Sequence, residues 1–145
     1  MTNLFTAGYQ GETVRSFISK LTEGKIKVLI DIRENPFSRK PGFSKSKLSQ
    51  SLVRAGIDYY HFQELGAPRP LRDYLIHEGK YDIFFDKYRN YLGDFRDAID
   101  DLIDIGEKRN ICLMCFEKDP HYCHRKVVAE LIEHSIGKQI NVVHL

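Results

Sequence analysis

The stretch Lys27-Val28-Leu29-Ile30-Asp31-Ile32-Arg33 decides how the chain is read. It is apolar and β-branched without a clean alternation of polar and apolar positions, the pattern of a strand covered on both faces in a parallel sheet. A parallel strand needs a crossover helix to reach its neighbour, so helical periodicity is expected on either side. Upstream, Leu4-Phe5-Thr6-Ala7-Gly8 leans to strand, and Val14, Phe17, Ile18 and Leu21 recur at the i, i+3, i+4, i+7 spacing of an amphipathic helix. Downstream, Ser44 is placed as the N-cap of a helix carrying Leu48, Leu52, Val53 and Ala55, with Phe43 and Leu48 as its hydrophobic staple. Gly56 ends that helix, and Ile57-Asp58-Tyr59-Tyr60-His61-Phe62 reads as the third strand.

A short helix or irregular lid is expected between Leu71 and Lys80. From Tyr81 the residues Phe84, Tyr88, Leu92, Phe95, Ile99 and Leu102 mark a long helical pattern that Gly93 breaks or kinks. Its aromatic residues are read as core rather than as a stacking stripe. Ile111 to Phe116 is the fourth strand. A last helix is expected from Asp119-Pro120 through Leu131 and Ile132 to about Gly137, and Ile140 to His144 closes the chain as a strand. The alternation predicts an α/β fold over residues 1–145 as a single domain: a mostly parallel sheet of about five strands with helices on both faces.

With 145 residues and 42% hydrophobic composition, the chain holds material for one substantial core. It contains no membrane-length apolar stretch and no signal-peptide pattern at Met1-Thr2-Asn3-Leu4, so a cytoplasmic protein without membrane association is expected. Three cysteines make no disulfide framework and fit a reducing compartment. A formal charge of +2 names no polyanionic partner by itself. Locally, however, Arg33, Arg39, Lys40, Lys45 and Lys47 lie among Phe37 and Phe43, a mixture suited to phosphates and bases. The alternative is a solvated loop anchored to the core by its phenylalanines.

Chemistry-bearing residues collect where strands end. Asp31 and Arg33 are two apart and share a side, either as a structural ion pair or as an acid with an anion holder. Gly8-Tyr9-Gln10-Gly11 brackets a turn but is not the dinucleotide fingerprint. The fourth strand runs into Cys115, Glu117, Cys123, His124 and Arg125. Cys112 and Cys115 have the C-x2-C spacing of zinc ligands, but on a strand residues three apart face opposite sides, so Cys112 is assigned to the core. Without it the metal case rests on Cys115, Cys123 and His124 alone, and no metal or cofactor is expected. A thiol at a helix start beside His124 and Arg125 has the surroundings of a reactive cysteine, whereas an inert buried thiol gives the same pattern. Glu117 is a candidate general base, metal ligand or brace for Arg125, and Arg125 a candidate bidentate anion grip. His121 stands where a C-x5-R motif starting at Cys115 needs arginine.

The combination Thr6-Ala7-Gly8-Tyr9, Asp31-x-Arg33-x-x-Pro36-x-Ser38, Gly56-Ile57-x-Tyr59, Leu65-Gly66, Leu113-x-Cys115-x-Glu117 and Cys123-His124-Arg125 resembles the family catalogued as domain of unknown function four-eight-eight. The resemblance covers almost the whole chain. Tyr9-Gln10 departs from the His-Ser of many members, which removes a proton carrier from that turn, and Ala67 stands where a second glycine is common. The family implies a compact α/β domain with its motifs gathered at one end of the sheet, and implies no activity.

The first functional expectation is therefore an enzyme with Asp31, Glu117, Cys123 and His124 as catalytic groups and Arg33, Arg125 and Arg39 as anion-binding groups. Its substrate would carry phosphate, as a nucleotide or nucleic-acid end. The alternatives are a non-catalytic nucleic-acid-binding module and a structural or interaction domain with an internal ion-pair network. Reaction class and oligomeric state stay open.

Overall fold

The computed structural model describes residues 1–145. Five parallel strands form one sheet in the order β3-β2-β4-β1-β5, with β1 at Asn3–Gly8, β2 at Val28–Asp31, β3 at Asp58–His61, β4 at Ile111–Cys115 and β5 at Asn141–His144. The expected α/β class, strand number and parallel pairing all hold. Helices α1 (Val14–Glu23) and α2 (Lys45–Arg54) cover one face, where Phe17, Leu21, Leu48 and Leu52 pack on Ala7, Leu29, Cys112 and Met114. Helices α4 (Tyr81–Leu92), α5 (Arg96–Lys108) and α6 (Arg125–Ile136) cover the other. There Tyr88, Leu102, Val127 and Val128 meet Leu4, Ile30, Leu113 and Cys115. Helix α3 (Arg69–Glu78) buries no residue fully, although its Leu71 and Leu75 pack against this second core.

Strand parity places Cys112 and Cys115 in opposite cores, as their spacing on β4 requires. Gly93 interrupts the long aromatic pattern with one 3-10 turn, Gly93–Phe95, which separates α4 from α5. Two local expectations change. Ser44 occupies the N-cap position of α2, but its hydroxyl serves the preceding loop, accepting from Ser38 N at 3.0 Å and donating to Ser38 O at 3.1 Å. The last helix does not begin at Pro120. Asp119 caps a single 3-10 turn, Pro120–Tyr122; Cys123 is extended, with φ −123° and ψ 142°, and α6 starts only at Arg125. That extended residue lets the Cys123 sulfur reach Cys115. No helix is long and apolar enough to cross a membrane.

The topology also fixes where a ligand can sit. β2 leads to α2 on one face and β4 leads to α6 on the opposite face, so the loops leaving these adjacent strands part from each other. A crevice at the carboxyl ends of the strands is the consequence.

Candidate functional site

The crevice is a cavity of about 400 Å³ between the loop after β2 and the loop after β4. Its wall includes Tyr9, Arg33, Arg69, Arg72, Glu117 and His124, with Cys115 also facing it. Asp31 and Arg125 stand behind that wall.

Asp31 ends β2 fully buried. Its carboxylate accepts from Arg33 Nε at 2.9 Å, Arg33 Nη2 at 2.7 Å, the Arg33 amide at 3.1 Å and the Tyr59 hydroxyl. Burial by itself would lower the Arg33 pKa, but Asp31 reverses this and raises it. Burial, and then the Asp31 charge, push the Tyr59 hydroxyl up as well. The pair is thus the structural ion pair of the two sequence readings, and Asp31 is not a free acid. Arg33 also donates through Nη1 to Phe43 O at 2.8 Å and to the Tyr9 hydroxyl at 3.2 Å. Four of its five N–H groups thereby have protein partners, one on Nη2 has none, and the residue lines the cavity. Tyr9 stacks on Phe43 at 4.5 Å, with the Arg33 guanidinium 5.3 Å from the Tyr9 ring.

Two histidines hold consecutive carbonyls of the same loop. His124 Nε2 donates to Ile32 O at 2.9 Å, and His61 Nε2 donates to Arg33 O at 2.7 Å. Only a protonated ring nitrogen can pair with a carbonyl, so His124 carries its proton on Nε2 and leaves Nδ1 with a lone pair. Burial lowers the His124 pKa, against the pull of the Ile32 carbonyl. The neutral ring is the form present near pH 7.

Arg125 corrects the expectation of an anion grip. It is fully buried, and none of its hydrogen-bond partners is a carboxylate. Its guanidinium donates to Thr6 Oγ1 at 3.2 Å, Cys115 Sγ at 3.0 Å, Lys118 O at 3.0 Å and Glu117 O. Burial lowers its pKa. The side chain ties β1 and the β4 loop together from inside, and Gly8 is what admits it. A Cβ on Gly8 would lie 1.7 Å from Glu117 O and 2.9 Å from Arg125 Nη1. Arg39 is exposed and away from the cavity, so of the three expected anion-binding residues only Arg33 lines it.

Glu117 and His124 both line the cavity. Cys123 is joined to Cys115 by a disulfide across eight residues of sequence, although the cysteine count had suggested no such pairing. Cys112 is the one free thiol, and burial pushes its pKa up to about 12. It should resist alkylation in the folded protein and react only on unfolding, as read by mass spectrometry of native and denatured samples; native labelling at the rate of an exposed cysteine would contradict its placement.

Sequence reasoning gave no role to Arg72, and it reached Arg69 only as part of the stretch Gln63–Pro70 after the third strand, which reads as a functional loop. Both come from α3, which begins at Arg69, and Arg72 reaches across to Glu34 at 2.8 Å. No periodicity marks them, because α3 has no fully buried face to fix its phase from sequence. The exposed rings Phe116 and Tyr122 were likewise unassigned, and they edge the same opening as Phe37, which the sequence places in the basic loop after β2.

Comparison with curated proteins and with solved structures gives no match. Over residues 13–132, which include Asp31, Arg33, Glu117 and the Cys123-His124-Arg125 run, the sequence matches the family described as Domain of unknown function DUF488, and the chain belongs to that family.

Proposed function

We propose that the cavity binds a phosphate-bearing ligand of the nucleotide class and that the protein acts on it as an enzyme, with Glu117 as the proton-handling carboxylate. The observation that carries this reading is the pairing, at one opening, of guanidinium groups with exposed aromatic rings. Phe37 is 66% exposed, and Tyr122, which meets the Tyr81 ring at 5.0 Å, is still 52% exposed, although large rings gain from burial. Arg69 has only an exposed Asp73 at 4.0 Å, a pair worth little in water, and Arg33, which lines the cavity, keeps one N–H without a protein partner. Guanidinium groups grip phosphate oxygens in pairs, and rings stack on a base. Glu117 is engaged only through its backbone carbonyl, which leaves its carboxylate available.

The test is calorimetric titration with adenosine and guanosine mono-, di- and triphosphates and ribose 5-phosphate. Binding by at least one nucleotide is expected, weakened about 1–3 kcal/mol by Phe116→Ala through loss of stacking. Arg72→Ala should weaken it and flatten its salt dependence. Glu117→Gln should retain binding and lose turnover. A panel without binding, or binding indifferent to both Phe116→Ala and Arg72→Ala, would sink the proposal.

A further inference from the structure

We propose that the reduced form of the protein binds one zinc-class divalent cation through Cys115 Sγ, Cys123 Sγ and His124 Nδ1, with the fourth coordination position open to the cavity. The inference goes beyond the nucleotide reading and stands whether or not a nucleotide binds.

The three ligand atoms lie within 4.8 Å of one another. Cys123 Sγ and His124 Nδ1 are 3.8 Å apart, close to the roughly 3.6 Å that a tetrahedral zinc imposes between a sulfur and a nitrogen ligand. The Cα atoms of Cys115 and Cys123 are 7.3 Å apart, beyond the usual reach of about 4.4–6.8 Å for a disulfide pair. Two thiolates on one zinc sit about 3.8 Å apart, which suits the wider spacing.

The surroundings of the three atoms are those of metal ligands. A ligating histidine usually donates its other N–H to a carbonyl or carboxylate, which fixes the tautomer. His124 does this to Ile32 O at 2.9 Å, and the nitrogen so freed is the one beside the sulfurs. Arg125 Nη1 donates to Cys115 Sγ at 3.0 Å, a contact that favours a thiolate there. Cys115 and His124 line the cavity, so a cation held between them would face it. Two sulfurs and one imidazole with a position left over is the donor set of an open, catalytic-type zinc site rather than a closed structural one.

The disulfide is the oxidised alternative. A dithiol reductant supplies two electrons and two protons, breaking the S–S bond to give two thiols while the reductant becomes a disulfide. Cation binding then releases both thiol protons to solvent. His124 in that state is a ligand rather than a proton carrier.

The experiment uses the full chain, reduced with dithiothreitol, freed of reductant without air and titrated with cobalt(II). One equivalent is expected to give the intense visible bands of a tetrahedral thiolate complex, and zinc should displace it. The same chain kept as the disulfide should bind about a hundredfold more weakly or less. Cys123→Ser and His124→Ala should each weaken binding to a similar degree, whereas Cys112→Ser should leave it unchanged. Reduced wild-type protein without the tetrahedral bands, or with bands that survive Cys123→Ser, would overturn the site. Where a variant fails to fold, the comparison of reduced and disulfide wild type decides alone. Cobalt binding without nucleotide binding would overturn the nucleotide reading and leave the metal site standing, and the converse result would do the reverse.

Discussion

Asp31→Ala is expected to lower stability by about 3–5 kcal/mol, seen as a fall in the urea midpoint at an unchanged slope. The magnitude follows from what the substitution strands. Arg33 is only 7% exposed and Asp31 not at all, so removing the carboxylate leaves a guanidinium charge without its bidentate partner in a poorly hydrated place. The Tyr59 hydroxyl and the Arg33 amide lose their acceptor at the same time. Asp31→Asn should be nearly as harmful, because the amide keeps the volume but not the charge and offers one oxygen where the guanidinium uses two. The double change Asp31→Ala with Arg33→Met should recover much of the loss, since it removes the stranded charge along with its partner. A single-variant loss below about 1 kcal/mol would mean that water reaches the pair and that it does not brace the β2 loop.

The same pair shows how far the sequence could be read. An apolar run ending in Asp31-x-Arg33 located the β2 end and put both charges on one side, because strand parity depends only on spacing. Parity also separated Cys112 from Cys115, and the structure places them in different cores. Spacing could not say whether Asp31 faced a ligand or its neighbour; that depended on Tyr59, Phe43 and Tyr9, contributed by other parts of the chain. The start of α6 was misplaced for a related reason. Asp119-Pro120 is a good helix opening and does open a turn, but the extended Cys123 ends it, and that conformation goes with a partner eight residues away. Arg72 stayed hidden because α3 buries no residue fully and carries no strong pattern. What was legible followed from local periodicity. What was not depended on which long side chains turned inward.

Arg125 is the clearest such case, and Arg125→Lys is expected to cost about 3–5 kcal/mol even though it preserves the charge. The guanidinium satisfies acceptors on two sides, Thr6 on β1 and the Glu117 and Lys118 carbonyls of the β4 loop, with Cys115 Sγ between them. A lysine ammonium has three donors at one point on a narrower head and cannot span that set. The Thr6 hydroxyl keeps His144 Nδ1 as a partner, but at least one of the Glu117 and Lys118 carbonyls would lose its donor, at about 1–3 kcal/mol for a buried acceptor, and the Cys115 contact would go with it. The effect should also be local before it is global. Tyr9 N and Gln10 N continue the sheet ladder onto Cys115 O and Phe116 O, at 3.2 Å and 2.9 Å, so both amides should lose hydrogen-exchange protection first in the variant. The two readings of Arg125 make opposite forecasts. A residue that grips a ligand's phosphate would leave stability nearly intact when changed to lysine, and would lose affinity. A buried tie-rod for the β4 loop gives a destabilised protein with an early-opening Tyr9-Gln10 segment, and a Lys variant within about 1 kcal/mol of the parent would return Arg125 to the list of ligand-binding groups.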